Sequence, residues 1–217
     1  MTTNSIENIY NDYRATIEYP LKYTLDFFAK NALFLDNLDT FKDDNELRLY
    51  MQLACQHLNA LYKKDRFNET VENAIKYLKT INSKIDKHNL ASIKNDWYYE
   101  ILFFKGLSTY QLRDYKTSTS IFQQLIEYNS KNEGYKNWLC YSKHMRQMWF
   151  SKIIKIVCGL LFLITFFLEQ YIQSSQIQIL LESISLIGLI GTLIYDYYTR
   201  KRFIIFEKNL NQVENTT

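Results

Sequence analysis

Two apolar runs placed back to back near the end of the chain restrict its architecture more than any other feature. The first lies in WFSKIIKIVCGLLFLITFFLEQYI, residues 149–172, and the second in QIQILLESISLIGLIGTLIYDYYTRKR, residues 176–202. Their charge-free cores, Ile156–Leu168 and Ser183–Tyr195, are each about 20 Å long as helices, whereas a bilayer span needs about 20 mostly apolar residues. The flanks supply the rest. Lys155 stands at one end, where its ammonium can snorkel. Trp149, Phe150, Tyr171, Tyr195, Tyr197 and Tyr198 are spaced like interfacial belts. The sequence therefore predicts two transmembrane helices, about 153–172 and 177–198.

Charge sets the expected orientation. Lys143, His144, Arg146 and Lys152 precede the first run, and Arg200, Lys201 and Arg202 follow the second, but the connecting EQYIQSSQIQ has no Lys or Arg. By the positive-inside rule both termini are cytoplasmic, on the inner side of what we expect to be a bacterial inner membrane. The midpoint of the hairpin falls at Ser175 and Gln176, which puts Glu169 and Glu182 at one depth. Those two acids either mark the outer interface or, in a homo-oligomer, line a pore or proton site. Ser185, Gly188 and Thr192 form a small-residue stripe suited to close helix packing, with the first span's Gly159 region as the expected partner.

The rest of the 217 residues reads as helical. One proline and five glycines leave few breaks for an all-β or Rossmann-type fold, and the fold class is all-α. Ile6, Ile9, Tyr10, Tyr13 and Ile17 follow a helical period, and Pro20 suits the first turn of the next helix. That helix, LKYTLDFFAKNALFL, is apolar on most sides and should be well buried. The acids of LDNLDTFKDDNE suit a helix N-terminus. Next come ELRLYMQLACQHLNALYKK, apolar at Leu47, Tyr50, Leu53, Ala54, Leu58 and Leu61, the turn DRFNET, and VENAIKYLKTI. After a polar linker the pattern returns as WYYEILFFKGLSTYQL, RDY and KTSTSIFQQLIEY. The expected domains are N-terminal helices over 1–42, paired helices over 43–148, the membrane pair over 149–200 and a cytoplasmic tail over 201–217, whose basic start can meet anionic headgroups.

In the second pair a small residue, Gly106, is followed by Tyr110 late in the first helix, Asp114-Tyr115 at the turn and Phe122 in the second helix. This set resembles the tetratricopeptide (TPR) repeat, in which the small residue lets the helices approach while the aromatics fill the hairpin. The earlier pair is similar, with Asp65 and Phe67 at its turn and Ala74 and Leu78 behind it. Thr70 and Ser118 stand where the family has alanine, Ser130 where it ends on proline, and the distance from Phe67 to Tyr115 exceeds the repeat length of about 34 residues. NEGYKNWLCYSKHMRQ looks like one further first helix that caps the stack. The resemblance implies a protein or peptide partner on the concave face of helices 47–63 and 93–112, around Gln52, Gln56, Asn59, Tyr98 and Lys105.

Chemistry-bearing patterns are missing from the sequence. It has no GxGxxG, GKS or GKT, HExxH or GxSxG, and His57, His88 and His144 fall on separate predicted helices. Cys55, Cys140 and Cys158 have no ligand or disulfide spacing, so reduced thiols are expected. Acids interrupt the basic residues throughout, unlike a nucleic-acid face. No enzyme, metal, cofactor or nucleic-acid partner is expected. Two readings remain: a membrane-anchored adaptor or scaffold, and a membrane effector whose hairpins assemble into a leak. The second resembles anti-phage effectors in layout.

Overall fold

The computed structural model describes residues 5–15, 21–38, 41–88, 96–168 and 175–214. Among these there is no strand, and the chain forms eight α-helices: α1 (Ile6–Arg14), α2 (Leu21–Asp36), α3 (Asp44–Lys63), α4 (Phe67–His88), α5 (Asp96–Gln111), α6 (Tyr115–Tyr128), α7 (Glu133–Leu168) and α8 (Ser175–Glu214). They divide into two units, Met1–Leu139 and Cys140–Thr217. Helix α7 starts in the first and continues into the second. Pro20 and Ile17 lie outside the described residues.

In the first unit each helix packs on its sequence neighbours, and the odd-numbered helices α1, α3 and α5 also pack on one another in order. Helix α3 meets α1, α2, α4 and α5; α5 also meets α4 and α6. The result is a stack of helix hairpins in which α1, α3 and α5 form one row. Local chemistry starts and ends the helices. Ser5 caps α1 by accepting from the Asn8 amide at 3.2 Å, Asp43 caps α3 through the Glu46 amide at 2.9 Å, and Asp114 caps α6 through the Thr117 amide at 3.1 Å. The acidic segment before α3 thus does what its composition predicts.

The turns α3–α4 and α5–α6 share one geometry. Asp65 (φ 55°) and Arg113 (φ 65°) both take the left-handed conformation. The amides that follow them, Arg66 and Asp114, donate back to Leu61 and Thr109, while Asp65 and Arg113 themselves donate to Tyr62 and Tyr110. Each is a Schellman ending built without glycine. One constant sequence shift carries Asp65 onto Arg113, Phe67 onto Tyr115, Thr70 onto Ser118, Ala74 onto Phe122 and Leu58 onto Gly106. The last two pairs exchange size. Gly106 is small because a Cβ there would stand 3.1 Å from Phe122 Cζ and 3.1 Å from Ile121 Cγ2; the equivalent buried positions in the first hairpin hold Leu58 and Ala74.

The interior is aromatic. Tyr50, Phe28 and Phe122 are enclosed, and Phe122 stacks on Trp138 of α7 at 6.1 Å. Tyr110 packs edge-on against both Tyr115 and Trp138, and Phe67 packs at a tilt against Tyr62. All the apolar positions expected of α3 are buried. Helix α2 departs from expectation: it buries Thr24, Phe28 and Leu35, but Leu33 is 79% exposed and Tyr23 55%. Its main packing partners are α3 and α1, so much of its surface stays open.

Candidate functional site

Two surfaces carry the sequence-derived candidates, one in each unit. In the first unit, the side chains of α3 sort by direction. Gln56 accepts from the Tyr13 hydroxyl of α1 at 3.4 Å. Cys55 donates to the Trp97 carbonyl of α5 at 3.1 Å, and Tyr62 packs on Phe104. Between those two stripes lie Gln52 and Asn59, two turns apart and half-buried.

On α5 the expected pair is misplaced. Tyr98 is buried and donates to Asn82 of α4 at 3.1 Å. Lys105, seven residues on and so on the same stripe, is half-buried, and desolvation lowers the pKa of its ammonium. Both point toward α4 rather than along the α1–α3–α5 row. The reason is that α5 is surrounded by α3, α4, α6 and the start of α7, which leaves it no continuous exposed face from which to read an orientation. Glu100 and Gln111 are the residues that face the row. Gln111 donates to the Tyr62 hydroxyl at 3.5 Å. Glu100 lies within electrostatic reach of Cys55 on one side and Tyr135 on the other, and burial, then Asp96, push its carboxyl above the usual range. The candidate face is therefore Gln52, Asn59, Glu100 and Gln111, bordered by Gln56.

Beneath it, His57 stacks on Phe28 with ring centroids 4.4 Å apart, and its Nδ1 lies 2.6 Å from the Tyr77 hydroxyl. Burial, followed by Arg66, depresses the imidazole to about 4, so it is neutral near pH 7. The thiol of Cys55 is pushed up by burial.

The second unit is an antiparallel helix pair with an inverted distribution of side chains. Both helices are long and apolar enough to cross a membrane. Ile156, Val157, Leu160, Leu163, Ile164, Phe167, Ile184, Leu186, Ile187, Leu193 and Ile194 point outward, while Ser151, Thr165, Ser185, Thr192 and Asp196 are enclosed. Ser151, Cys158 and Thr165 recur every seven residues on α7, as do Ser185, Thr192 and Thr199 on α8, the spacing of a two-helix coiled seam. Ser185 donates to the Cys158 carbonyl across it at 2.6 Å. A Cβ at Gly188 would lie 2.6 Å from Cys158 Sγ, but one at Gly159 would meet nothing within 4 Å. The close approach thus uses Cys158 opposite Gly188, not Gly159. Toward the C-terminal end of α8, Phe203 stacks on His144 at 4.1 Å and packs on Tyr141 at 5.4 Å.

The seam also holds an ion pair that the sequence reading missed. Lys155 and Asp196 bond directly. Sequence reasoning assigned Lys155 to the interface and treated Asp196 as the end of a run. Their opposite signs at matching ends of the two runs were the available signal.

Glu169 lies outside the described residues. Glu182 is half-buried and has an interaction partner. The crossing of Cys158 with Ser185 and Gly188 places Glu182 level with residues 161–165, deeper along the first helix than symmetric folding about Ser175 and Gln176 predicts. The shift arises because Ser175 already begins α8.

No family model, curated protein or solved structure matches this chain.

Proposed function

We propose that the chain is a membrane-anchored cytoplasmic adaptor whose stacked, TPR-like helix hairpins bind a protein or peptide. The inverted side-chain distribution of the second unit carries this reading. Large aliphatic groups turned outward and small hydroxylated ones turned inward suit a hydrocarbon solvent, where packing and interhelical hydrogen bonds rather than apolar burial hold helices together. The arginines and lysines at both cytoplasm-proximal ends, and their lack in the connection, support a topology with both termini inside. Unit 1 offers Gln52, Asn59, Glu100 and Gln111 as the polar contact row. Partly desolvated amides and a carboxylate favour extended peptides that carry free backbone donors or a basic side chain.

The test is in-cell crosslinking of the full chain, the Asn59→Lys/Glu100→Lys variant and a chain ending at residue 148. The adaptor reading expects a discrete crosslinked partner with the full chain, lost in the double variant while membrane insertion is unchanged. An identical pattern from the double variant would reject the contact row.

The depth of Glu182 favours a second reading, that of an oligomerising effector. There, expression of the full chain would collapse a membrane-potential dye signal and Glu182→Gln would abolish the effect; an unchanged potential with the full chain inserted argues for the adaptor.

A further inference from the structure

Among the described residues of the first unit, the half-buried carboxylates are Glu46, Glu69 and Glu100. The first two have their cation. Glu46 pairs with Lys42 and also accepts from its amide at 2.8 Å, and Glu69 takes Arg66 in a two-pronged contact. Glu100 differs: among the described residues no cation and no hydrogen-bond donor meets it. The groups within electrostatic reach of it are Asp96, the Cys55 thiol and the Tyr135 hydroxyl, none of them positive. Asp96 in turn takes its hydrogen bond from the neutral Tyr128 hydroxyl, at 2.8 Å. Stripping part of a carboxylate's hydration without supplying a counter-charge is unfavourable. A cation brought from outside therefore gains here what Lys42 and Arg66 already supply to Glu46 and Glu69.

We infer that Glu100 anchors an arginine side chain of the bound peptide, an inference that rests on the adaptor reading above and names the partner's chemistry. Cys55 meets the Trp97 carbonyl and Tyr62 packs on Phe104, so α3 and α5 run side by side in one direction, with Asn59 about level with Glu100. Tyr135 of α7, half-buried and packed on Phe103 at 5.6 Å, borders the carboxylate from the other side. One turn back along α5 stands Trp97, also half-buried. The carboxylate is thus framed by an amide on α3 and by aromatic rings on α5 and α7. Arginine suits that frame better than lysine. Its planar fork gives a carboxylate two parallel hydrogen bonds and keeps donors for the Asn59 oxygen. It stacks on aromatic rings, and it is more weakly hydrated than an ammonium, so it loses less on entering a half-buried position. Gln52, two turns before Asn59 on α3, remains for the backbone of an extended peptide.

The experiment uses the purified full chain in detergent micelles, isotope-labelled at its glutamate carboxyls. The Glu100 carboxyl resonance, assigned by its loss in Glu100→Asp, is followed by NMR as the peptide Ac-Gly-Gly-Arg-Gly-Gly-NH2 is added. A saturable shift with half-saturation at about millimolar concentration is the expected result, the scale of one charge-assisted contact. The citrulline peptide, of the same shape but neutral, binds about tenfold more weakly. The lysine peptide falls between the two. Asn59→Ala weakens binding of the arginine peptide by about threefold, whereas Glu72→Gln, at an exposed acid of α4, leaves it unchanged. Equal binding of the arginine and citrulline peptides, or a Glu100 signal that never shifts, overturns the proposal. So does spermidine binding more tightly than the arginine peptide, which would make this a site for free polyamines. These comparisons use the unaltered chain and do not depend on how any variant folds. In-cell crosslinking scores the adaptor reading separately. A peptide-induced shift without a crosslinked partner rejects the adaptor, and a partner whose crosslink survives Glu100→Gln rejects the arginine anchor alone.

Discussion

The two units use the same element to opposite ends. In the first, bulky rings are enclosed; in the second, the enclosed residues are serines, threonines and Asp196, and the bulky aliphatic residues face out. Helix propensity cannot account for the contrast, since the described residues of both units are almost entirely helical. The membrane setting proposed above for the second unit can. In water, enclosing an aromatic side chain is the main source of stability. Among hydrocarbon chains it brings nothing, and a pair of helices holds together through close backbone approach and hydrogen bonds.

The sharpest way to break this comparison is all-or-none. A Cβ at Gly188 would lie 3.8 Å from the Cβ of Cys158, close to the mean separation in disulfides. Gly188→Cys should therefore crosslink to native Cys158 on mild oxidation, without affecting α3–α6. Mass mapping of the oxidised chain checks this, and failure to crosslink would reject the seam.

The next largest effect lies in the first unit. Gly106→Leu alone should cost about 2–4 kcal/mol by overpacking against Phe122 and Ile121, and Phe122→Ala alone about 3–5 by leaving a cavity. Combined, they recreate the Leu58/Ala74 arrangement of the first hairpin, and the double variant should be less destabilised than the sum by roughly 2 kcal/mol. Denaturant unfolding of the detergent-solubilised chain measures the cycle. Strict additivity would mean that the two hairpins are not equivalent.

In the second unit, Lys155→Ala leaves the Asp196 carboxylate without its counter-ion and should lower stability by about 1–3 kcal/mol. The exchange Lys155→Asp/Asp196→Lys should recover part of that loss in steric-trap or detergent-denaturation assays.

A pH dependence separates the units further. His57 is held neutral, with its proton affinity depressed from 6.5 to about 4 in the fold. Between those values the unfolded chain binds the proton more readily than the folded one does. The stability from this residue is thus complete above about pH 6.5 and declines as pH falls toward 4. His57→Gln should flatten the midpoint-versus-pH curve across that window.

The smallest effect is at the α3 cap, where Asp43→Ala should cost about 1 kcal/mol and leave the hairpin unit unchanged.

Much of the architecture was legible in the sequence because it rests on local rules. Periodicity located the helices of the first unit, the acidic segment before α3 announced that helix's start, and the paired apolar runs gave the terminal hairpin. What was not legible depended on which neighbours a helix acquires. Tyr98 and Lys105 share a stripe on α5, yet no pattern on α5 says that α4 covers it; Glu100, the residue on the open row, sits in the same run of half-buried positions. The seam failed differently. Gly159 and Gly188 are equally suited to close packing, and only the register decides that Gly188 meets Cys158. That register depends on where α8 begins, which fixes the level of Glu182 as well.

The exchange of size between Leu58 with Ala74 and Gly106 with Phe122 has an evolutionary consequence. What the two hairpins hold in common is a property of a pair of positions, the summed bulk of the crossing, and neither member is kept individually. Drift can then move the small residue from one helix to its partner through intermediates that each lose or gain volume, with the fold unaltered at the end.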